Sequence, residues 1–177
     1  ISFGTTHLDT MEKTIVATEN ALAVAFPDIT VFRAFTSGVV RRRLKAKFDM
    51  QVDGIEEAMT RIYAADYDRV VVQPTLLIPG EEYDKLCAAI EASAGNMKVC
   101  IGKPLLCCEP DLDAIIRVLQ EAYPVDDDTI LLLMGHGTEH AANDIYIRLA
   151  PEMRHLPIRR CTVEGTPPFD DAIEGRT

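Results

Sequence analysis

The 177-residue sequence is poor in positive charge, with 18 lysines and arginines against 28 aspartates and glutamates and a formal net charge of −10. Because a nucleic-acid binder needs a basic face for the phosphates, we expect no nucleic-acid partner. Long hydrophobic runs are also absent, and since a membrane span needs roughly 20 apolar residues, we expect no membrane association. Hydrophobic residues nevertheless make up 47% of the chain, which is typical of a folded globular protein.

Common catalytic and cofactor motifs are missing as well. The sequence has no Walker A motif, no G-x-S-x-G elbow and no G-x-G-x-x-G fingerprint, so nucleotide-binding and serine-hydrolase functions lack their usual support and no organic cofactor is expected. The five cysteines show no C-x-x-C spacing, which favours core thiols in a reducing compartment. We therefore expect a cytoplasmic protein. The chain begins at Ile1 without a methionine, so a signal peptide could precede it and a periplasmic location stays open.

Predicted strands and helices alternate along the chain, which indicates βαβ units in an α/β protein with parallel sheets flanked by helices on both faces. The predicted strands are residues 1–4, 29–35, 69–73, 97–101, 129–134 and 158–163. Pro124 and the acidic run 126–128 interrupt the alternation. We therefore predict an N-terminal α/β lobe at 1–124 and the start of a C-terminal α/β lobe at 125–177. With two strands only, this second lobe is expected to be truncated.

A histidine between two glycines directly follows the apolar run 130–133, in the stretch MGHGTEH at 134–140. The run reads as a buried strand, so His136 lies at a strand's carboxyl end, where open α/β sheets place their ligands. The glycines would let a flat ligand approach the backbone. Neutral imidazole is a common metal ligand and general base, although a histidine after a strand can also be a structural hydrogen-bonding group. His140 either shares a face with His136 or starts the helix from Ala141.

Other candidates also follow predicted strands. Glu164 comes after the strand 158–163, one strand along from His136, and the two could meet as an N/O set for a divalent transition metal. Glu81 and Glu82 start a helix, where the simpler explanation is a favourable interaction with the helix dipole. The turn Thr5-Thr6-His7 could hold an anion through hydroxyl and backbone N–H groups.

A basic helix stands out against the acidic whole, with Arg41, Arg42, Arg43, Lys45 and Lys47 close together. Such a run is most often a solvated helix face. The alternative is a local attractor for a polycarboxylate or phosphate ligand.

Six stretches, taken together and in order, resemble the anaerobic sirohydrochlorin cobalt chelatases, class II tetrapyrrole chelatases akin to ferrochelatase. They are SFGTT at 2–6, FRAFTSG at 32–38, VQ at 72–73, PGEEY at 79–83, GHG at 135–137 and VE at 163–164. The resemblance covers essentially the whole chain. It implies two α/β lobes with parallel sheets and a cleft between them.

The resemblance also implies roles for particular residues. His136 matches the family's metal-site histidine, which takes up pyrrole protons, and Glu82 and Glu164 match its glutamates. These three are the expected metal ligands, with His136 and Glu164 as catalytic groups. The expected substrate contacts are Thr5, Thr6, His7, Arg33, Ser37 and Gly137. A further family histidine follows the next strand, beyond residue 177, and the family can carry a histidine where this chain has Leu76.

The resulting hypothesis is a lyase that inserts Co²⁺ into sirohydrochlorin in anaerobic cobalamin biosynthesis, with Co²⁺ as the substrate metal. Metallation displaces two pyrrole protons, and this requires a neutral base and nearby carboxylates. The alternatives are insertion of Fe²⁺ into sirohydrochlorin or another porphyrinoid, a metal- or haem-binding protein without turnover, and a generic α/β binding domain with structural histidines. A homo-oligomer is left open.

Overall fold

The computed structural model describes residues 1–126 and 128–174, without the side chain of Glu152. The chain folds into two compact units. Unit 1 comprises residues 1–76 and 82–103, and unit 2 comprises residues 77–81 and those from 104 onward. The division falls before Pro104, and the lobe boundary between 124 and 125 stays a prediction from the sequence. The helix that precedes Pro124 packs into unit 2.

Unit 1 contains five α-helices and two regular strands among its described residues. The helices are α1 (Leu8–Met11), α2 (Ala17–Ala25), α3 (Gly38–Phe48), α4 (Ile55–Ala64) and α5 (Glu81–Ser93), with a π-helical segment at Glu12–Val16 joining α1 to α2. The first residue of α5 belongs to unit 2. The strands β1 (Arg69–Val72) and β2 (Lys98–Ile101) pair in parallel.

The sheet of unit 1 continues beyond β1 through short extended segments. Ile1 bonds to the chain just after β1, donating to the Gln73 carbonyl at 2.8 Å and accepting from the Thr75 amide at 2.8 Å. Parallel bridges then join Ser2 to Phe35 and Ala34 to Asp53. The predicted strand 29–35 is thus reduced to its last two residues, because only these lie between neighbouring segments while Ile29 and Val31 are exposed.

Unit 2 contains the parallel pair β3 (Leu131–Gly135) and β4 (Ile158–Thr162), in register from Leu131 opposite Ile158 to Gly135 opposite Thr162. Its helices are α6 (Glu109–Ala122), α7 (Asp144–Arg148), α8 (Ala150–Met153) and α9 (Phe169–Ile173), and a 3₁₀ turn spans Ala141–Asn143. Leu112 and Ile116 of α6 share one buried cluster with Tyr146 of α7 and Ile158 of β4. This packing is the reason that α6 belongs to unit 2.

The strands are less covered than the sequence predicts. Val72 is buried, but its neighbour Val71 is 75% exposed. In β3, Leu132 and Met134 are also exposed, so burial alternates along the strand. Strands β1 to β3 are therefore covered mainly on one side, because successive side chains point to opposite faces. Strand β4 is covered on both sides, since Arg160, Cys161 and Thr162 are all buried. Within the described residues, no helix has the length and apolarity that crossing a membrane requires.

Candidate functional site

His136 and Glu164 lie side by side at the carboxyl ends of β3 and β4. The parallel pairing continues past the strands, with the Val163 amide donating to the Gly135 carbonyl at 3.0 Å and the Glu164 amide donating to the His136 carbonyl at 2.7 Å. The side chains meet as well, with Nδ1 of His136 3.9 Å from Oε2 of Glu164. Both are well exposed, at 79% for the imidazole and 72% for the carboxylate. The structure therefore brings this predicted pair together.

The surroundings of the His136 ring indicate which nitrogen is free to react. Nδ1 lies 3.3 Å from the Gly137 carbonyl oxygen and 3.9 Å from the Glu164 carboxylate. Both oxygens are hydrogen-bond acceptors, so they favour the neutral tautomer that carries its proton on Nδ1. The lone pair is then on Nε2, which is available to a metal ion or to the proton of a bound N–H group.

The glycines beside His136 make room for protein atoms. Gly137 has φ +80°, and a Cβ there would lie 1.3 Å from the Glu164 carbonyl oxygen. A Cβ on Gly135 would lie 2.5 Å from the ring of Tyr146. We had expected these glycines to admit a flat ligand; the structure shows that they admit α7 and the β4 loop. Contact between Gly137 and substrate stays a prediction.

Asn143 joins the loop after β3 to the loop after β4. Its Oδ1 accepts from the Thr138 amide at 3.2 Å, and its Nδ2 donates to the Thr166 carbonyl at 2.9 Å. The sequence contains this residue close to His136, but no pattern identifies it as a link. His140 lies nearby, and its Nδ1 accepts from the Ala142 amide at 3.1 Å. His140 thus caps the 3₁₀ turn, as the structural alternative for it predicted.

The predicted substrate residues of unit 1 follow segments of its sheet. Thr5 accepts from the His7 amide at 3.2 Å, which shapes the turn that contains Thr6. Ser37 follows the bridged residue Phe35 and caps α3, accepting from the Val40 amide at 3.3 Å. The neighbouring Thr36 was not predicted, yet its hydroxyl is buried without a hydrogen-bond partner among the described residues. These turns lie at one edge of the sheet because the Ser37 amide bonds to the Phe3 carbonyl at 3.2 Å.

Two predicted residues of unit 1 have acidic or basic partners. Arg33 binds both carboxylate oxygens of Glu19, and this ion pair raises the pKa of the guanidinium. Arg33 is therefore not a free cation. Glu82, in the first turn of α5, lies 3.5 Å from Nζ of Lys85 and is about half exposed. Its role as a metal ligand stays a prediction.

The basic helix α3 is partly neutralised within unit 1. Arg41 donates to both oxygens of Glu57 at 3.0 and 2.9 Å, which lowers the pKa of that carboxyl. Lys45 pairs with Asp49 at 2.6 Å. Arg42 and Arg43 have no ion-pair partner in the part of the chain that the structure describes. These two arginines remain as cations that an anionic ligand could approach.

A cluster that the sequence analysis missed lies at the start of α6. Cys107, Cys108 and Asp111 place their ligand atoms within 4.8 Å of one another. The backbone amides and thiols of both cysteines donate to Oδ2 of Asp111 at 3.0–3.3 Å. The interaction is a helix cap, with the N3 carboxylate bonded back to the N-cap residue Cys108. The sequence signal that could have identified this cap is the acidic residue three positions after Cys108.

Of the five cysteines, only Cys161 is buried as a core thiol.

Asp111→Asn is expected to destabilise the protein more at about pH 7 than at about pH 2. Hydrogen bonds from Cys108 and Cys107 lower the pKa of Asp111 from 3.8 to about 2. A carboxyl group whose pKa is lower in the folded than in the unfolded protein stabilises the folded state at pH values above its unfolded-state pKa. This contribution is lost as the pH falls towards 2. Thermal unfolding of both proteins at the two pH values measures the effect. Asp113→Asn, on an exposed position of the same helix, is the matched control. An equal destabilisation at both pH values would contradict the prediction.

The sequence is similar to one family of known proteins and to two curated relatives. The sequence model of the family described as Cobalt chelatase (CbiK) matches residues 1–176. Sirohydrochlorin cobaltochelatase of Salmonella typhimurium is 34% identical over 178 residues, which cover 98% of this chain and 67% of that protein. Sirohydrochlorin cobaltochelatase CbiKC of Nitratidesulfovibrio vulgaris is 33% identical over 150 residues, which cover 82% of this chain and 53% of that protein. The chain thus spans about two thirds of the first relative and about half of the second.

Proposed function

The chain belongs to the cobalt chelatase (CbiK) family, and from this membership we propose that it inserts Co²⁺ into sirohydrochlorin as a chelatase of cobalamin biosynthesis. The reaction consumes Co²⁺ and a tetrapyrrole with two pyrrole N–H groups, and it yields the cobalt complex and two protons. The observation that carries the proposal is the exposed imidazole of His136 at a sheet's carboxyl edge, with the Glu164 carboxylate 3.9 Å away.

His136 is the proposed proton acceptor. With Nδ1 directed at two acceptor oxygens, Nε2 carries the lone pair that takes a pyrrole proton or guides the metal ion to the ring. An imidazole suits this step because it changes protonation state near neutral pH. Its exposure of 79% allows a flat macrocycle to reach it from outside the sheet edge.

Glu164 is proposed to support His136 in two ways. Its negative charge, 3.9 Å from Nδ1, stabilises the imidazolium that forms when the ring accepts a proton. A carboxylate beside the second nitrogen of a metal-binding histidine also favours one ring orientation, here through its charge, since 3.9 Å is longer than a hydrogen bond. Glu82 is proposed to supply a further carboxylate for the incoming cation, from the first turn of α5.

The polycarboxylate substrate also needs positive or hydrogen-bonding partners on an acidic protein. In unit 1, the turn at Thr5 to His7, the capping residue Ser37 and the unpaired Arg42 and Arg43 are the proposed partners. Arg33 and Arg41 contribute less, because Glu19 and Glu57 already neutralise them.

The deciding experiment mixes the full-length protein with sirohydrochlorin and either Co²⁺ or Fe²⁺ under anaerobic conditions and follows the tetrapyrrole absorption. We expect cobalt insertion much faster than in the absence of protein. The iron arm tests for an iron chelatase built on the same residues, since nitrogen and carboxylate ligands suit both ions. Metal binding without a change in the tetrapyrrole spectrum would contradict the proposal and indicate a binding protein.

Glu164→Gln is expected to lower kcat/KM for cobalt insertion by about tenfold, the lower end of the range for carboxylate partners of a metal-binding histidine. The effect is at the lower end because both side chains are exposed and solvent screens their interaction. Glu139→Gln, an exposed glutamate in the loop after β3, removes the same charge and is the control. If both variants lose activity equally, Glu164 acts only through the net charge of this edge.

A further inference from the structure

A pocket of about 380 Å³ lies in unit 2 at the edge opposite His136. Its lining includes Ile130 and Pro157, which directly precede β3 and β4, so it opens at the amino ends of the strands. His136 and Glu164 follow the carboxyl ends of the same strands. The pocket is therefore separate from the candidate site.

Three arginines line this pocket, and no acidic side chain does so among those that the structure describes. Arg154 is exposed and has no side-chain partner in the described residues. Nη1 of Arg159 donates to the carbonyls of Ala172 and Ile173 at 2.8 and 3.3 Å. The Arg159 guanidinium is therefore bonded at α9, on the opposite side of β4 from Arg160. In the described part of the chain, no carboxylate pairs with Arg154 or Arg160.

Arg160 is the strongest indication of a ligand site because only 8% of this charged residue is exposed. Its Nε donates to the Tyr146 carbonyl, and the described residues offer its two Nη atoms no hydrogen-bond partner. Burial lowers the pKa of this guanidinium, with no opposing charge to raise it. The Nη atoms are not among the fully buried unpartnered atoms, so an anion can reach them from outside, and a largely buried guanidinium is favourably paired with such a charge.

The pocket beside α3 shows the contrast. It measures about 230 Å³ and is also lined by three cations, Arg41, Arg42 and Lys45, but Asp53 and Glu57 line it as well. Arg41 is paired with Glu57 there. The protein itself offsets the charges of Arg41 and Lys45 in that pocket and leaves only Arg42 unpaired among the described residues, whereas the pocket at Arg160 has no carboxylate in its described lining.

We propose that the pocket at Arg154 and Arg160 binds a small organic anion with one carboxylate or phosphate group on an apolar body. The arginines fit the oxyanion because guanidinium N–H groups match its geometry. The apolar body is required because Met153, Leu156 and Ile158 form the remaining wall. The volume also exceeds that of a bare oxyanion and lies in the range of small-molecule sites.

Calorimetric titration of the purified protein with acetate, butyrate and hexanoate, at constant ionic strength against chloride, tests this site. Affinity is expected to rise by up to about fourfold per methylene, because each added group is buried against the apolar wall. A parallel titration with inorganic phosphate, which has no apolar body, tests whether the pocket binds the oxyanion alone. Tighter binding of phosphate than of hexanoate would overturn the proposal.

Two variants and a matched control localise the binding. Arg160→Gln and the exposed Arg154→Gln are each expected to raise the Kd for hexanoate by about tenfold or more, since each removes a charge-assisted hydrogen bond. Arg154→Gln keeps the test valid if the buried variant does not fold. Arg117→Gln, on an exposed position of α6 outside the lining, is expected to bind like the parent. Absence of saturable hexanoate binding by the parent protein, or unchanged binding by both variants, would overturn the site.

Discussion

Replacing His136 with alanine is expected to slow cobalt insertion by about 10²- to 10⁴-fold, the usual contribution of a positioned general base. The variant is expected to fold normally, because the side chain is 79% exposed and the carbonyl that bonds to the Glu164 amide remains. The measurement is the initial rate of the absorbance change with saturating sirohydrochlorin and Co²⁺, alongside a thermal melt.

His155→Ala is the matched control for this variant. His155 is an exposed histidine of the same unit, and its removal is expected to leave the rate unchanged. A folded His136→Ala protein that turns over at the parent rate would rule out the imidazole as base and as metal ligand. In that case the family function would have to depend on other residues.

Gly137→Ala is expected to destabilise unit 2 by about 3 kcal/mol or more and to reduce chelatase activity with it. Two costs combine. A backbone at φ +80° is unfavourable for alanine, and the new Cβ would lie 1.3 Å from the Glu164 carbonyl oxygen. Since that oxygen is backbone, the loops after β3 and β4 must separate, which moves His136 away from Glu164. Denaturant unfolding and the insertion rate together measure the effect.

Gly95→Ala separates the two costs. Gly95 also has a positive φ, +54°, but nothing lies within 4 Å of the Cβ that alanine would add. Its substitution therefore tests backbone strain alone and is expected to cost about 1 kcal/mol. If Gly137→Ala were no more destabilising than Gly95→Ala, the close approach of the two loops would be wrong.

Four of the six predicted strands, and the approach of His136 to Glu164, were predictable because they depend on local pattern. An apolar run followed by Gly-His-Gly locates a strand end, and a second run followed by Glu164 locates its neighbour. In a parallel pair those two ends must lie together, and the Nδ1 to Oε2 distance of 3.9 Å follows from this arrangement. The metal ligation by Glu82 remains a prediction.

Other features depend on packing between distant segments, which no local pattern encodes. The sequence predicts a lobe boundary at Pro124 because the pattern breaks there, while the contacts of Leu112 and Ile116 place α6 in unit 2. The ion pair of Arg33, a predicted substrate contact, was not foreseen because its partner Glu19 lies on another element, α2. Arg160 carried no signal at all, since an arginine in a strand pattern is expected to face solvent.

The link made by Asn143 has a consequence for how the reaction responds to solution conditions. An amide side chain has no charge to gain or lose, so its bonds to Thr138 and Thr166 persist over the working pH range and at high ionic strength. The uncharged side chain of Asn143 then maintains the spacing of His136 and Glu164, and added salt does not break its hydrogen bonds. A dependence of KM on ionic strength would consequently report the long-range attraction between protein and substrate. The pH profile of kcat would report the proposed proton acceptor, and the two conditions can be varied independently.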